Sequence, residues 1–215
     1  MISSAVRDLA ESNFIGDRDN QNNPLPSDPT KKITEIELDD ETFEELDNTK
    51  AISMKHVMGN PEREWALRHI LSAGALLGKS CQGTLKLAGM SENLQQQGYL
   101  FGKHLSLAWQ ACIDLEPFRM SELPSNSSFS LVSAPILFHL EYDAKLYDEI
   151  KKGAKTVDDI DYHVVHMEVL KGPGIEKTKE LQRKHSLAAR TVLNEFPPST
   201  ARTALQNIIL AMQDL

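Results

Sequence analysis

The chain has 215 residues, 40% hydrophobic and 25% charged, which are globular proportions and enough to bury a core in about one domain. Its net charge of −8, with no stretch pairing clustered Lys/Arg with aromatics, argues against nucleic acid as a partner. No run reaches the ~18 apolar residues of a membrane span. Residues 1–14 carry neither the basic head nor the unbroken apolar block of a targeting segment, and Cys81 and Cys112 form neither a disulfide framework nor a zinc set, which points to a reducing compartment.

Helical periodicity dominates and strand signals are scarce. Residues 2–14 read as a short helix with Ile2, Val6, Leu9 and Ala10 on one stripe. Gly16 to Lys32 is rich in Asn, Asp and Pro and reads as a loop or disordered stretch. Glu35 to Asp47 holds eight acids in thirteen residues. Asn60-Pro61 is a strong helix start, an N-cap followed by a proline at the first helical position. The spacing predicts one helix from Pro61 to about Ala88, its apolar residues mixed with small ones that admit a close neighbour, and Gly89 as the stop. Ser91 caps a helix to about Leu115, apolar on most sides and so central, cut by Pro117. Residues 117–128 read as a loop. Further helices are expected over Ser133–Lys152, Thr156–Leu170, Ile175–Glu195 and Ser199–Leu215, which makes the class all-α.

Three groups look chemical but have plainer readings. Asp39-Asp40-Glu41 with Glu44-Glu45 is a solvated charge run, since a metal site needs oxygens converging on one point. Asp158-Asp159-Ile160-Asp161 sits at a predicted helix start, where acids favour the dipole. His163 and His166, three apart on one helix face, lack further ligands nearby in sequence and read as structural or surface residues.

The informative segment is Phe101 to Phe118, FGKHLSLAWQACIDLEPF. It resembles the helix carrying the second Asp-rich motif of the trans-prenyl diphosphate synthases, roughly G-x-x-L-G-x-A-F-Q-x-x-D-D-x-x-D-F. Gly102, Leu105, Ala108, Gln110, Asp114 and Phe118 fall on matching positions, with Trp109 at the Phe and Ser106 at the second Gly. The small-residue helix around Ser80-Cys81 resembles the one following the family's Lys-Thr-Ala motif. Phe196-Pro197-Pro198-Ser199-Thr200-Ala201-Arg202 resembles the start of the family's last helix. Three motifs in the right order are a strong signal. GALLGKSCQ, Ser133-Ala134-Pro135 and FPPSTARTALQNI are similar to the non-catalytic branch of heteromeric long-chain enzymes that make the ubiquinone side chain. The resemblance covers residues 1–14 and about 61–215 and leaves the segment 16–58 as a loop or disordered acidic insert.

The resemblance implies an isoprenoid-synthase-type helical bundle, of which 1–215 would be the C-terminal part, apparently lacking its N-terminal helices and with them the first Asp-rich motif. It implies a chemistry in which magnesium, held by carboxylates, neutralises a departing diphosphate. Here the matching five residues are Ile113, Asp114, Leu115, Glu116 and Pro117. Ile113 cannot bind a cation, Pro117 ends the helix, and Glu116 stands about 200° from Asp114 on a regular helix. The family's Lys-Thr-Ala falls on Ser72-Ala73-Gly74, and the lysine of its G-K-x-T-x-P falls on Leu131, so two phosphate-binding lysines are absent. Trp109 and Gln110 are expected to line a remnant cavity. The expected role is therefore a regulatory subunit that has no catalytic residue and binds no cofactor by itself. A catalytic polyprenyl diphosphate synthase subunit would be its hetero-oligomeric partner and would carry Mg2+, in the mitochondrion. The alternatives are a self-sufficient prenyltransferase with Asp114, Glu116 or the 158–161 acids regrouped as ligands, and an unrelated acidic interaction module.

Overall fold

The computed structural model describes residues 59–154, 156 and 159–213. The helix expected at 2–14, the polar stretch and the acidic block lie outside the described residues. Among the described residues every regular element is helical.

α1 (Pro61–His69) starts as its sequence dictates: the Asn60 side chain accepts from Arg63 N at 2.9 Å, and Pro61 occupies the first turn. The chain stays helical through Ile70–Gly74, but as one wide π turn, before α2 (Ala75–Leu87). The single regular helix expected here thus contains one inserted turn, which shifts the phase of every later side chain. Ile70 and Gly74 face inward, whereas Ser72, Ala73 and Leu71 are exposed. Gly89, at φ +70°, closes α2 as expected: its N–H donates to Lys86 O and that of Met90 to Leu85 O, both at 3.0 Å.

Ser91 caps α3 (Glu92–Leu115), which returns antiparallel to α2. Glycines let the two backbones approach: a Cβ on Gly102 would lie 2.7 Å from the Leu77 carbonyl oxygen. Pro117 ends α3 as read, with Glu116–Phe118 tightening to a 3₁₀ turn.

Two expected helices are shorter than their periodicity suggests. Ser133–Lys152 divides into α4 (Ala134–Tyr142) and α5 (Leu146–Lys152). Asp143 between them is extended at φ −134°, and its side chain accepts from Lys145 N at 2.9 Å, a local bond that competes with helix continuation. Thr156–Leu170 begins six residues late, as α6 (Tyr162–Lys171), because Asp161 is the N-cap and accepts from His163 N and Val164 N. α7 (Gly174–Asn194) and α8 (Thr200–Gln213) follow their expected bounds closely.

α3 is central. Trp65, Ile70, Leu107, Ala111, Phe138 and Leu181 join α1, α3, α4 and α7 in one cluster. Phe101, Ala108, Ala189, Leu193, Ile209 and Met212 join α3, α7 and α8 in a second. A third forms beyond the end of α3, where Phe118 and Ile136 meet Leu146, Val165 and Val169. Burial of the larger apolar side chains among them, each contributing about 1.5–3 kcal/mol, fixes the faces α3 presents.

Candidate functional site

Asp114 stands at the junction of three helices and is almost wholly buried. Its Oδ2 accepts from the Trp65 indole N–H at 2.7 Å and from Ala134 N at 2.9 Å. Its Oδ1 accepts from Gln110 Nε2 at 2.8 Å, one turn earlier on α3. Each contact has a sequence-level cause. Asn60-Pro61 starts α1 where Trp65 reaches inward. Ala134 is the first residue of α4, whose N–H has no intrahelical partner. Ser133 makes no capping bond, so Asp114 caps α4 from another helix, its charge favoured by the positive helix end. Trp65 is fully buried, with the His69 ring at 5.0 Å and the His185 ring at 6.1 Å. Burial lowers the pKa of His69 from its usual value, the Asp114 charge works against that shift, and Arg68 adds to it.

The other sequence-singled residues do not gather around Asp114. Glu116 is exposed and pairs with Arg119 at 3.1 Å. Ile113 is 47% exposed. The Pro117 carbonyl is 3.0 Å from His166 Nε2, so that nitrogen donates to it. Leu131 packs against the Phe118 cluster. Ser72 donates its hydroxyl back to the His69 carbonyl at 3.1 Å. Trp109, 52% exposed, and Ala73 line an open apolar cleft of about 480 Å³ with Leu76, Leu77, Leu105 and Ile208. Trp109 faces this cleft, while the Gln110 side chain is engaged with Asp114.

The pair His163 and His166 also divides. His163 is exposed, whereas His166 is fully buried and stacked on Phe118 at 5.4 Å with 9° between planes. A separation of three residues is about 60° on a helix, enough to straddle the burial boundary of α6. Asp161 is spent on its capping bonds. Cys81 and Cys112 are both free thiols whose pKa burial pushes up. Among the described residues, no three His, Cys, Asp or Glu side chains converge as a metal-ligand set. Sequence reasoning missed Trp65 and the α4 amide as partners of Asp114, because they lie 49 and 20 residues away and carry no local signal.

No family model matches the chain. It is 33% identical over 149 residues to the all trans-polyprenyl-diphosphate synthase PDSS2 of Homo sapiens, covering 69% of this chain and 37% of that protein. It is 28% identical over 150 residues to the probable hexaprenyl pyrophosphate synthase, mitochondrial, of Yarrowia lipolytica, covering 67% of this chain and 33% of the relative. The chain thus spans between about a third and under half of the length of the curated relatives it matches. A decaprenyl diphosphate synthase from Rhodobacter capsulatus superposes with a TM-score of 0.62 at 17% identity, over 73% of this chain and 51% of that one, which shows the fold. An unrelated acidic module is thereby set aside. With the three motifs in order, an all-α isoprenoid-synthase fold and this identity to PDSS2, the chain belongs to the polyprenyl synthetase family, the trans-prenyl diphosphate synthases.

Proposed function

We propose that this chain acts as the non-catalytic, regulatory subunit of a heteromeric all-trans-polyprenyl diphosphate synthase. Its product, of decaprenyl or solanesyl length, would become the isoprenoid side chain of ubiquinone. The observation that carries the reading is the state of Asp114, the one carboxylate left in place in the matched motif. Its oxygens accept three hydrogen bonds from protein donors in a buried junction. Ile113 beside it offers no donor atom, and the exposed Glu116 is paired with Arg119. These residues do not fit magnesium, which requires several oxygens at one point. In this reading a catalytic polyprenyl diphosphate synthase subunit holds Mg2+ and carries the chemistry, and this chain contributes helix–helix contact.

Two further observations support it. The relative with 33% identity is PDSS2, and the Yarrowia lipolytica relative is named as mitochondrial, which favours that compartment here. The flank at Leu76, Trp109 and Ile208 is exposed and apolar, the kind of surface an obligate interface buries.

The test is co-expression with a catalytic long-chain prenyl diphosphate synthase subunit, followed by incorporation of radiolabelled isopentenyl diphosphate by each chain alone and by the mixture. Activity above that of the partner alone, only in the mixture and with co-purification, is the expected result. Turnover by this chain alone would overturn it and favour a self-sufficient enzyme with regrouped ligands.

A further inference from the structure

The open cleft of about 480 Å³ beside Trp109 is walled by three helices: Leu76 and Leu77 come from α2, Leu105 and Trp109 from α3, Ile208 and Met212 from α8. No charged side chain lines it, and its two hydroxyls belong to Ser80 and Ser106. Ser80 donates its proton to the Leu76 carbonyl at 2.8 Å. Leu76 is 71% exposed and Trp109 52%. Contiguous apolar surface of this kind marks a place that another segment or molecule covers.

The chain around the cleft is biased in charge. From Trp65 to Ile113, through α2 and most of α3, there is one acid, Glu92, against Arg68, Lys79, Lys86 and Lys103. From Phe196 to Gln213, which includes α8, there is Arg202 and no acid. These stretches are net positive within a chain of net charge −8. Attraction between segments follows their summed charge and needs no unpaired side chain; Lys79, for one, donates to Gln82 and lies 4.8 Å over the Tyr99 ring. One segment of the same chain has the complementary composition. Glu35 to Asp47 holds eight acids and no base, and four of its other five residues are Ile36, Leu38, Phe43 and Leu46. It ends twelve residues before Gly59. A tether of that length spans up to about 40 Å, and about 23 Å of helix separates Pro61 from Leu76. The segment therefore reaches the cleft, at the high effective concentration of an intramolecular partner.

We infer that residues 35–47 dock on this cleft, with their apolar side chains against Leu76, Trp109 and Ile208 and their carboxylates over the acid-free helices α2 and α8. The docking rests on the cleft and the segment alone. Its consequence rests on the subunit role proposed above: a partner subunit that uses this flank must first displace the segment, which makes the contact autoinhibitory.

Acrylamide quenching of the full chain tests it, because Trp109 lies in the cleft and the only other tryptophan, Trp65, is fully buried. Phe43→Ser/Leu46→Ser should raise the quenching constant roughly twofold, as the indole passes from covered to half exposed. An unchanged urea midpoint separates release of the segment from unfolding. Should the midpoint fall, raising chloride on the wild-type chain gives the same reading without a substitution, since screening weakens the contact and quenching should rise. A synthetic peptide of residues 35–47 should restore protection to the double variant saturably, and the same peptide with serine in place of Phe43 and Leu46 should not. Equal quenching of wild type and variant at equal stability overturns the inference. Protection of wild type that grows with protein concentration overturns it too, and assigns the cleft to a second copy of the chain. Neither result alters the co-expression assay, so failure here is distinguishable from failure of the subunit role.

Discussion

Along α3, Leu107, Ala111 and Asp114 are sealed against α1, α4 and α7, while Trp109 and Ile113, only a residue or two away in sequence, stand 52% and 47% exposed. On the sealed flank each Asp114 oxygen has a donor, and Trp65 is enclosed by Asp114, His69 and His185. On the open flank, among the described residues, the apolar side chains of Trp109 and Ile113 are left about half exposed. Asp114 is a carboxylate that the described fold itself uses, whereas Ile113 beside it is half exposed. Its three hydrogen bonds give Asp114 a part in holding α1, α3 and α4 together.

The largest test of this contrast is Asp114→Ala. It leaves the Trp65 indole N–H and the Ala134 N–H buried without an acceptor, each costing about 1–3 kcal/mol, so a total loss of about 3–5 kcal/mol in urea denaturation is expected. Asp114→Asn keeps one acceptor oxygen and should lose roughly half as much. A loss below about 1 kcal/mol for Asp114→Ala would mean that the junction does not hold the helices together.

Acid probes the same flank. His104 and His185 are held at about 3, so in the folded state they stay neutral while the unfolded chain takes up protons below its ordinary value near 6.5. The stability tied to their neutrality is fully present above 6.5 and lost as pH falls toward 3, with a slope of up to about 1.4 kcal/mol per pH unit for each ring. The charged groups around them are Lys103 on α3, Lys184 on α7, and Arg63 and Glu62 on α1. Urea midpoints measured from pH 7 to pH 4 should therefore fall, and the fall should be shallower in His104→Gln/His185→Gln. An equal slope in both proteins would remove the pair as its cause.

How much of this was readable beforehand depends on the range of the interaction. The start of α1 at Asn60-Pro61, the stop at Gly89 and the end of α3 before Pro117 rest on bonds within a few residues, and the sequence carries them. The break at Asp143 and the late start at Asp161 are also local, but periodicity alone overrides them; an Asp that can bond the backbone two residues ahead was the available signal. The π turn at Ile70–Gly74 has no such signal and changes which of Ser72, Ala73 and Gly74 is buried. The candidate site was legible as a set of positions, through resemblance. Its chemistry was not, because Trp65 and Ala134 reach Asp114 only through tertiary packing.

Gly102 probes the flank where it passes from covered to open. It lies about 20° from Trp109 around α3, two turns earlier, yet α2 covers it so closely that a Cβ would meet the Leu77 carbonyl oxygen at 2.7 Å. Backbone cannot yield as a side-chain tip can, so Gly102→Ala should destabilise by about 1–3 kcal/mol. An unchanged melting temperature would show that α2 and α3 can part at little cost, and that the open flank extends along the whole of α3.

The smallest effect is expected from Ile113→Asp, which restores an adjacent carboxylate pair in the matched motif. Ile113 is 47% exposed, so the fold should change by no more than about 0.5 kcal/mol. Magnesium should gain little, because the neighbouring Asp114 oxygens already accept from Trp65, Gln110 and Ala134, and Pro117 has no oxygen on its side chain to add. The two tryptophans give a direct reading of that choice, since Trp65 is buried against Asp114 and Trp109 is half exposed. If magnesium pulled Asp114 toward Asp at position 113, the Trp65 indole would lose its acceptor and the buried component of the emission would shift. An unchanged buried component across a magnesium titration is the expected outcome. A saturable shift would show that the junction yields to a cation, and that the carboxylate taken here as structural is still available for chemistry.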